Sequence, residues 1–139
     1  MKIVIVGCGR VGANLAVLMA RDPKQANEVI VIDQNSEAFE RLGQDSRGRI
    51  NAVTGDGTDE DVLRRAGLED ADAFVAVTAG DNRNIMAAQI AQRVFHVDKV
   101  VCRIYDPIRT EVYRKLGLDV FCPTVEGAAT IRRIIKNGG

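Results

Sequence analysis

The sequence predicts an α/β fold: a Rossmann-like, doubly wound parallel six-stranded sheet in the order 3-2-1-4-5-6, with helices on both faces. Three observations predict it. Runs rich in Val and Ile alternate with helical patterns, a glycine-rich turn follows the first run, and an acidic residue ends the second. The strand-helix-strand unit occurs in the first half and again after Ala73, as in two mononucleotide-binding halves. The predicted strands cover residues 3–6, 29–32, 50–53, 73–77, 100–104 and 120–122.

The predicted helices have recognisable ends. Thr58, followed by three acidic residues, is predicted to cap a helix that Gly67 stops, and Pro107 is predicted to open a helix that Gly117 closes. A closing helix is predicted at about 124–136, because its apolar residues share one broad face that would cover either this sheet or a partner's. The apolar residues of that helix are Val125, Ala128, Ala129, Ile131, Ile134 and Ile135.

Length and composition restrict the class of protein. At 139 residues, the chain is expected to form a single domain spanning 1–139. Its 46% hydrophobic and 27% charged residues are typical of a soluble globular protein. No apolar run reaches the roughly 20 residues of a membrane span, and the N-terminus lacks the pattern of a signal peptide. We therefore expect a cytoplasmic protein.

The charge balance and the cysteines argue against two further classes. Lys plus Arg and Asp plus Glu number 19 each, so the chain has no net positive charge with which to hold a nucleic acid. Cys8, Cys102 and Cys122 lie far apart in the sequence and form no C-x-x-C pair. This spacing argues against a zinc site or a redox dithiol and favours buried free thiols.

The most informative motif is a G-x-G-x-x-G turn between an apolar strand and a helical pattern. Gly7 would permit the tight turn, Gly9 would let the backbone approach a phosphate, and Gly12 would let the helix lie close on the strand. The unpaired N–H groups at the start of the helix would face the anion. The motif therefore predicts a phosphate-binding loop, which comprises Gly7, Cys8, Gly9, Arg10, Val11 and Gly12.

Asp33 ends the second strand, where a Rossmann domain places the carboxylate that binds ribose hydroxyls. Such a carboxylate repels a 2′-phosphate, and the next residues, Gln34 and Asn35, supply no arginine to reverse that preference. NAD(H), ADP or ATP is therefore predicted over NADP(H), with an AMP moiety in common. The alternative is that Asp33 only caps the helix that follows.

Two later turns are predicted to lie beside the glycine turn, because the carboxyl ends of parallel strands share one edge of the sheet. In the turn at 55–58, Asp56 would reach the exocyclic amine of adenine. The turn at 78–84 would offer a second set of helix N-terminal donors to phosphate. Each turn has a purely structural alternative, in which 55–58 forms a turn that caps the next helix and Thr78 or Asp81 caps the later one.

Two arginines are candidates for binding phosphate, since a guanidinium offers a fork of donors that suits phosphate oxygens. Arg10 lies inside the glycine turn, and Arg103 lies near the end of the fifth strand. The alternative for Arg103 is that it extends to solvent or pairs with Asp106. His96, near the end of a helix, is expected to lie outside any site.

The groups that a catalyst would need are missing from the sequence. There is no Tyr-x-x-x-Lys pair and no G-x-x-x-x-G-K-[ST] loop, and no proton-exchanging group is evident. Binding without catalysis is therefore the preferred hypothesis. The alternative is an NAD-dependent oxidoreductase, or its isolated cofactor-binding domain.

The order of four motifs along the chain is the most specific feature of the sequence. They are a G-x-G-R-x-G loop, the G-D-G-T turn, an A-V-T strand end and a late L-G-L-D before the sixth strand. Together they resemble the RCK N-terminal domain, also called the KTN or TrkA-N domain, over essentially the whole chain. The resemblance implies a cytosolic regulatory subunit or domain that binds NAD(H), ADP or ATP and gates a potassium channel or a Trk/Ktr-type potassium transporter. It also implies a homodimer that assembles into an octameric ring at the inner face of the membrane.

The resemblance also implies roles for the candidate residues. The glycine turn would contact phosphate, and Asp33, with Gln34 beside it, would hold the ribose. Asp56 and its neighbours would lie at the adenine, and the candidates after the fourth and fifth strands would lie at the distal phosphate or nicotinamide. No catalytic residue is implied, and no metal site is expected, because Thr124 stands where several members have a glutamate, with Glu126 two positions farther on. The residues implied at the adenine are Gly55, Asp56, Gly57 and Thr58, and those implied at the distal phosphate or nicotinamide are Thr78, Asn84 and Arg103.

Overall fold

Strands and helices alternate along the chain, as the sequence predicted. The computed structural model describes residues 1–44 and 49–138. None of the helices in these ranges combines the length and the apolar composition that crossing a membrane requires. In chain order, the elements are β1 (Lys2–Val6), α1 (Arg10–Ala20), β2 (Glu28–Asp33), a 3₁₀ helix (Ser36–Leu42), β3 (Ile50–Thr54), α2 (Glu60–Arg65), a short 3₁₀ helix (Leu68–Asp70), β4 (Ala73–Ala76), α3 (Asp81–Arg93), β5 (Lys99–Arg103), α4 (Pro107–Lys115), β6 (Asp119–Phe121) and α5 (Pro123–Lys136).

The strands form one parallel sheet in the order β3-β2-β1-β4-β5-β6, which confirms the predicted topology. β1 lies in the middle and pairs with β2 on one side and with β4 on the other. The chain winds outward from β1 to β3, crosses back through α2, and winds outward again from β4 to β6. The carboxyl ends of β1 and β4 therefore meet where the winding reverses, which is where doubly wound folds bind ligands.

The core consists of two apolar clusters, one on each face of the sheet, because alternate residues of a strand face opposite sides. Val4 and Val6 of β1 pack in the cluster that contains α2 and α3. Ile3 and Ile5 pack in the cluster that contains α1 and the 3₁₀ helix Ser36–Leu42. All four side chains are at most 4% exposed. This burial on both sides explains why the strand reads as an unbroken apolar run.

The cluster beneath α1 ends at β4. Val75 packs against that cluster, whereas its neighbour in register on β5, Val101, is outside it. Phe121, farther along the same face on β6, is 37% exposed. α5 follows directly from this strand, and none of its residues is buried. The closing helix therefore does not cover its own sheet, which was one of the two roles expected for it.

The predicted ends of α2 and α4 are present. Gly67 and Gly117 follow these helices with φ angles of +85° and +94°, a region that favours glycine because it has no Cβ. α4 begins at Pro107, where a backbone N–H is not needed, and the Asp106 side chain caps it.

The predicted cap of α2 is wrong by one residue. Asp59, not Thr58, caps the helix, and its side chain accepts a hydrogen bond from the Asp61 N–H. The Thr58 hydroxyl instead donates to Asp56 over 2.7 Å. Thr58 thus belongs to the preceding turn, and the next residue with a suitable side-chain acceptor caps the helix.

We predict that Gly12→Ala destabilises the fold by about 2 kcal/mol or more, because overpacking a rigid site forces the backbone to shift. A Cβ on Gly12 would overlap the carbonyl oxygen of Gly7. Gly9→Ala is the matched control, since no described atom other than its chain neighbours lies within 4 Å of where that Cβ would stand. Urea unfolding measures both variants, and equal losses of stability would contradict this packing.

Candidate functional site

A cavity of about 370 Å³ opens at the carboxyl ends of the central strands. The loops that follow β1, β2, β3 and β4 line it, together with the last residue of β5. This is the edge that the sequence predicted for the site. The predicted residues that line the cavity are Gly7, Gly9, Asp33, Gln34, Gly55, Asp56, Gly57, Thr58, Thr78 and Arg103.

The glycine turn has three glycines with different surroundings. Gly7 has a φ of +108°, and a Cβ on it would lie 2.7 Å from the Val77 carbonyl oxygen, so it must be glycine for the fold itself. Gly12 is likewise closed off by the Gly7 carbonyl. Gly9 lines the cavity and has open space where its Cβ would stand, so the described protein does not require glycine there. A ligand that approaches the backbone would require it.

The N-terminus of α1 faces this turn without a side-chain cap. Gly9 is the capping residue, and no acidic residue occupies the first turn of the helix. The first N–H groups of an α-helix have no partner within the helix, and together with the helix dipole they favour an anion. The glycine turn thus offers backbone donors to the cavity.

Asp33 ties the end of β2 to the glycine turn. Its Oδ2 accepts a hydrogen bond from the Cys8 N–H over 2.8 Å, and its Oδ1 accepts one from the Asn35 N–H over 2.9 Å. The cap of the following 3₁₀ helix is Asn35, so the alternative interpretation of Asp33 as the helix cap is wrong. The carboxylate is held at the cavity by two backbone donors and retains lone pairs for a ligand hydroxyl.

Asp56 both shapes its turn and lines the cavity. Its Oδ1 accepts hydrogen bonds from the N–H and the hydroxyl of Thr58, at 2.9 and 2.7 Å, and from Nη2 of Arg83 at 2.8 Å. The two bonds from Thr58 are the main reason that the pKa of Asp56 is lowered, and Arg83 lowers it further. The carboxylate is therefore charged at neutral pH.

Asn84 is fully buried and does not line the cavity. Its Oδ1 accepts hydrogen bonds from the N–H and the hydroxyl of Thr78, at 2.8 and 2.6 Å. Its Nδ2 donates to the carbonyls of Thr78 and Arg103, at 3.0 and 3.1 Å. Asn84 thus holds the loop after β4 against the end of β5, and Thr78 rather than Asn84 faces the cavity.

Neither Thr78 nor Asp81 caps α3, in contrast to the structural alternative for this turn. The capping residue is Gly80, which makes no side-chain hydrogen bond to the helix. The Asp81 carboxylate accepts from the Tyr105 N–H instead, with both oxygens at 3.1 Å. This bond ties the start of α3 to the loop that leads into α4.

Arg103 is only 9% exposed, and its guanidinium lies at the cavity. Nη2 donates to the carbonyls of Val77 and Thr78, at 3.2 and 2.8 Å, and the guanidinium stacks over the Tyr105 ring at 5.1 Å. Nε is buried and has no hydrogen-bond partner in the described part of the chain. Arg103 therefore neither extends to solvent nor pairs with Asp106, and both alternatives are wrong.

Four further predicted residues do not line the cavity. Arg10 and Val11 are exposed on the first turn of α1, and Gly12 is buried against Gly7. Cys8 turns its side chain into the core, where Sγ donates to the Ala38 carbonyl. Burial, and secondarily the charge of Asp33, raises the pKa of the Cys8 thiol. Only the backbone of Cys8 contributes to the site, through its bond to Asp33.

Two arginines at the cavity were not predicted. Arg41, on the 3₁₀ helix, lines the cavity, and its Nη1 donates to the Cys8 carbonyl over 3.3 Å. Arg83 lines it from α3. Arg41 lies in no motif recognised in the sequence, whereas Arg83 lies within the turn at 78–84, for which backbone donors and not this side chain were predicted to meet phosphate. The other unpredicted lining residues are Val6, Ile32, Asn35, Ala38, Val77 and Ala79.

Residues 1–44 and 49–138 contain no group of three or more His, Cys, Asp or Glu side chains placed to hold a metal ion. What the cavity does offer is backbone N–H groups, two carboxylates and three guanidiniums. These groups suit a ligand with hydroxyls and phosphates.

Comparison with known proteins gives close relatives in sequence. Trk system potassium uptake protein TrkA from Streptomyces coelicolor is 48% identical over 140 residues, which cover 99% of this chain and 60% of the relative. A TrkA homolog from Methanothermobacter thermautotrophicus is 32% identical over 138 residues, which cover 97% of this chain and 60% of the relative. The chain thus spans about 60% of the length of these relatives.

Solved structures share the fold. The AMP-bound form of the Kef CTD from Shewanella denitrificans superposes with a TM-score of 0.79 at 20% identity, over 100% of this chain and 83% of that chain. The GsuK channel bound to NAD superposes with a TM-score of 0.77 at 22% identity, over 99% of this chain and 23% of that chain. The TrkA-N domain family model matches residues 3–123. The chain therefore belongs to the TrkA-N domain family.

Proposed function

We propose that this chain is a nucleotide-sensing regulatory domain or subunit that gates a potassium channel or a Trk/Ktr-type potassium transporter. One observation carries the proposal: the cavity at the switch point combines an uncapped helix N-terminus, an open Gly9 and the fixed carboxylate of Asp33. Backbone N–H groups bind phosphate there and the carboxylate binds ribose. The potassium uptake relatives support the regulatory role, since residues along nearly the whole chain align with them.

The ligand we propose is NAD(H), ADP or ATP, bound through its AMP moiety. The solved structures of the same fold include an AMP-bound and an NAD-bound protein. Asp33 disfavours a 2′-phosphate, so NADP(H) should bind more weakly. A thermal-shift panel of NAD, NADH, NADP, AMP, ADP and ATP tests the proposal, because a ligand that binds only the folded state raises its stability. A melting temperature unchanged by all six would overturn it.

We further propose that the chain binds its nucleotide without chemistry. Burial raises the pKa of Cys8 and raises that of Cys102 to about 12, so these thiols stay protonated and are poor nucleophiles. His96, the one histidine, is not among the residues that line the cavity. Incubation with NADH should leave the nicotinamide absorbance unchanged, and steady loss of that absorbance with a substrate would favour an oxidoreductase.

The membrane partner and the oligomer are part of the same proposal. A cytoplasmic homodimer would be attached to the inner face of the membrane through its transporter or channel partner. Within one chain, α5 has no buried residue and the face of β5 and β6 near Phe121 is partly bare. Reciprocal packing of α5 on a second copy would cover both surfaces in a symmetric dimer.

A second apolar surface makes a larger ring feasible. Ile108 and Val112 of α4 and Leu116, which caps its C-terminus, are 78%, 50% and 52% exposed, and they share one face at helical spacing. The apolar residues of α5 that include Ile131, Ile134 and Ile135, here called the α5 stripe, lie on a different helix. A dimer that uses one surface retains the other for contacts between dimers, as an octameric ring needs.

We predict that Gly9→Val weakens nucleotide binding at least 100-fold, equivalent to about 2.7 kcal/mol, because the branched side chain would occupy the space of the phosphate. The structure adds that the variant should fold, since the described protein leaves the Cβ position of Gly9 open. Isothermal titration with ADP and NADH measures the loss. Wild-type affinity in a folded Gly9→Val variant would refute the loop's role.

We predict that Asp33→Ala weakens binding by about 1–3 kcal/mol through the loss of charge-assisted hydrogen bonds to ribose. It should also reduce the free energy of unfolding by about 1–2 kcal/mol, because the N–H groups of Cys8 and Asn35 lose their acceptor. Calorimetry measures the affinity and urea unfolding the stability. A loss of stability with unchanged affinity would show that Asp33 only braces the loop.

We predict that Ile131→Asp combined with Ile135→Asp converts the dimer into a monomer. Both side chains are mostly exposed, at 60% and 73%, so each protomer should still fold. Leu18→Asp is the matched control, since Leu18 is 70% exposed on α1, away from the α5 stripe. Light scattering at tens of micromolar decides the matter. A wild-type monomer, or a dimer that survives the double substitution, would refute this interface.

A further inference from the structure

The Arg83 side chain bridges the two halves of the sheet at the cavity. Arg83 lies in the first turn of α3, after β4, and its stem runs within 3.9 Å of where a Cβ on Gly80 would stand. Its Nη2 reaches Oδ1 of Asp56, in the turn after β3, over 2.8 Å. Both residues line the cavity. The guanidinium therefore lies against Asp56, while its stem begins beside the loop that packs on Gly7.

Asp56 does not depend on Arg83 for its position. The same Oδ1 accepts two hydrogen bonds from Thr58, at 2.9 and 2.7 Å, within a single turn. Asp56 would stay in place if Arg83 turned away. The ion pair therefore fixes where the Arg83 guanidinium rests more than it fixes the turn.

Arg83 is held less firmly than Arg103, another of the three arginines at the cavity. Its side chain is 47% exposed and that of Asp56 is 40% exposed, and ion pairs this open to water contribute little. Arg103, in contrast, is buried and bonded to two carbonyls. The backbone beneath Arg83 is nevertheless fixed, because the next residue, Asn84, is buried and fully hydrogen-bonded. At this position, therefore, the backbone is fixed and the side chain is free to change partner.

We propose that Arg83 selects for the number of phosphates on the bound nucleotide by exchanging Asp56 for a ligand phosphate. This inference rests on the proposed function. The N-terminus of α1 takes the first phosphate, and Arg83 takes a phosphate beyond it. A phosphate offers the guanidinium a bidentate, charge-assisted partner, which competes well against a half-exposed carboxylate. The chain should therefore prefer ADP and ATP to AMP.

The test compares AMP, ADP and ATP by isothermal titration on the wild type, Arg83→Gln and Arg109→Gln. Arg109 is the matched control, because its guanidinium donates to Asn82 at the start of α3 and is not among the lining residues. We expect Arg83→Gln to reduce the ratio of ADP to AMP affinity about tenfold or more, as for loss of a charge-assisted pair. Arg109→Gln should leave that ratio unchanged.

An unchanged ratio in Arg83→Gln would overturn the inference, and so would an equal fall in Arg109→Gln. Arg83→Lys keeps the charge but not the fork of donors, and it should recover part of the ratio. Thermal unfolding without nucleotide checks that each variant is folded. The ratio of ADP to AMP affinity does not change when a variant loses affinity for both nucleotides equally. A wild type that binds none of the three nucleotides would overturn the proposed function itself, whereas a wild type that binds all three equally would overturn only the role of Arg83.

Discussion

The glycine turn is packed so closely between α1, β1 and β4 that side chains are excluded at two of its positions. A Cβ on Gly7 would press on the Val77 carbonyl, and one on Gly12 would overlap the Gly7 carbonyl. This contact brings the start of α1 against the carboxyl ends of the two central strands. The remaining glycine, Gly9, is left facing the cavity. Both the direction of the α1 N-terminus and the shape of the cavity depend on this packing.

Buried hydrogen bonds hold the other side of the cavity in place. Asn84 uses both ends of its amide on the backbone and hydroxyl of Thr78 and on the Arg103 carbonyl. Arg103 returns two hydrogen bonds to the loop after β4. Polar groups in a low-dielectric interior are costly unless they are paired, so a network of this kind fixes one arrangement. The loop is thereby held in position before any ligand arrives.

Hydrogen bonds link the cavity region to α4. Asp81 ties the start of α3 to Tyr105, and Arg109 of α4 donates to Asn82 over 2.6 Å. α4 carries an exposed apolar face on its outer side. A nucleotide shifts such an assembly only if it binds two arrangements with different affinity, and a tenfold preference is worth about 1.4 kcal/mol per site. In the ring that we propose, several coupled sites would add their preferences.

The sequence by itself determined the sheet order, the glycine turn and the strand-end position of Asp33. These features have local signals, since apolar runs, glycine spacing and an acidic strand end are read along the chain. Local pattern also placed the closing helix within a residue of Pro123–Lys136. It misplaced the cap of α2, because Thr58 and Asp59 are both good caps and only the bond from Thr58 to Asp56 distinguishes them.

Tertiary structure alone decided which further side chains reach the cavity and which predicted ones turn away from it. Arg41 reaches it from the 3₁₀ helix and Arg83 from α3. A short motif does not predict the direction in which such long side chains extend. Asn84 turned inward, because its amide satisfies buried backbone groups that come from two separate strand ends. The amphipathic pattern of α5 does not identify the surface that packs against this helix, because an apolar stripe indicates burial without indicating the partner. Partners far apart in sequence are set by the packing of the whole sheet.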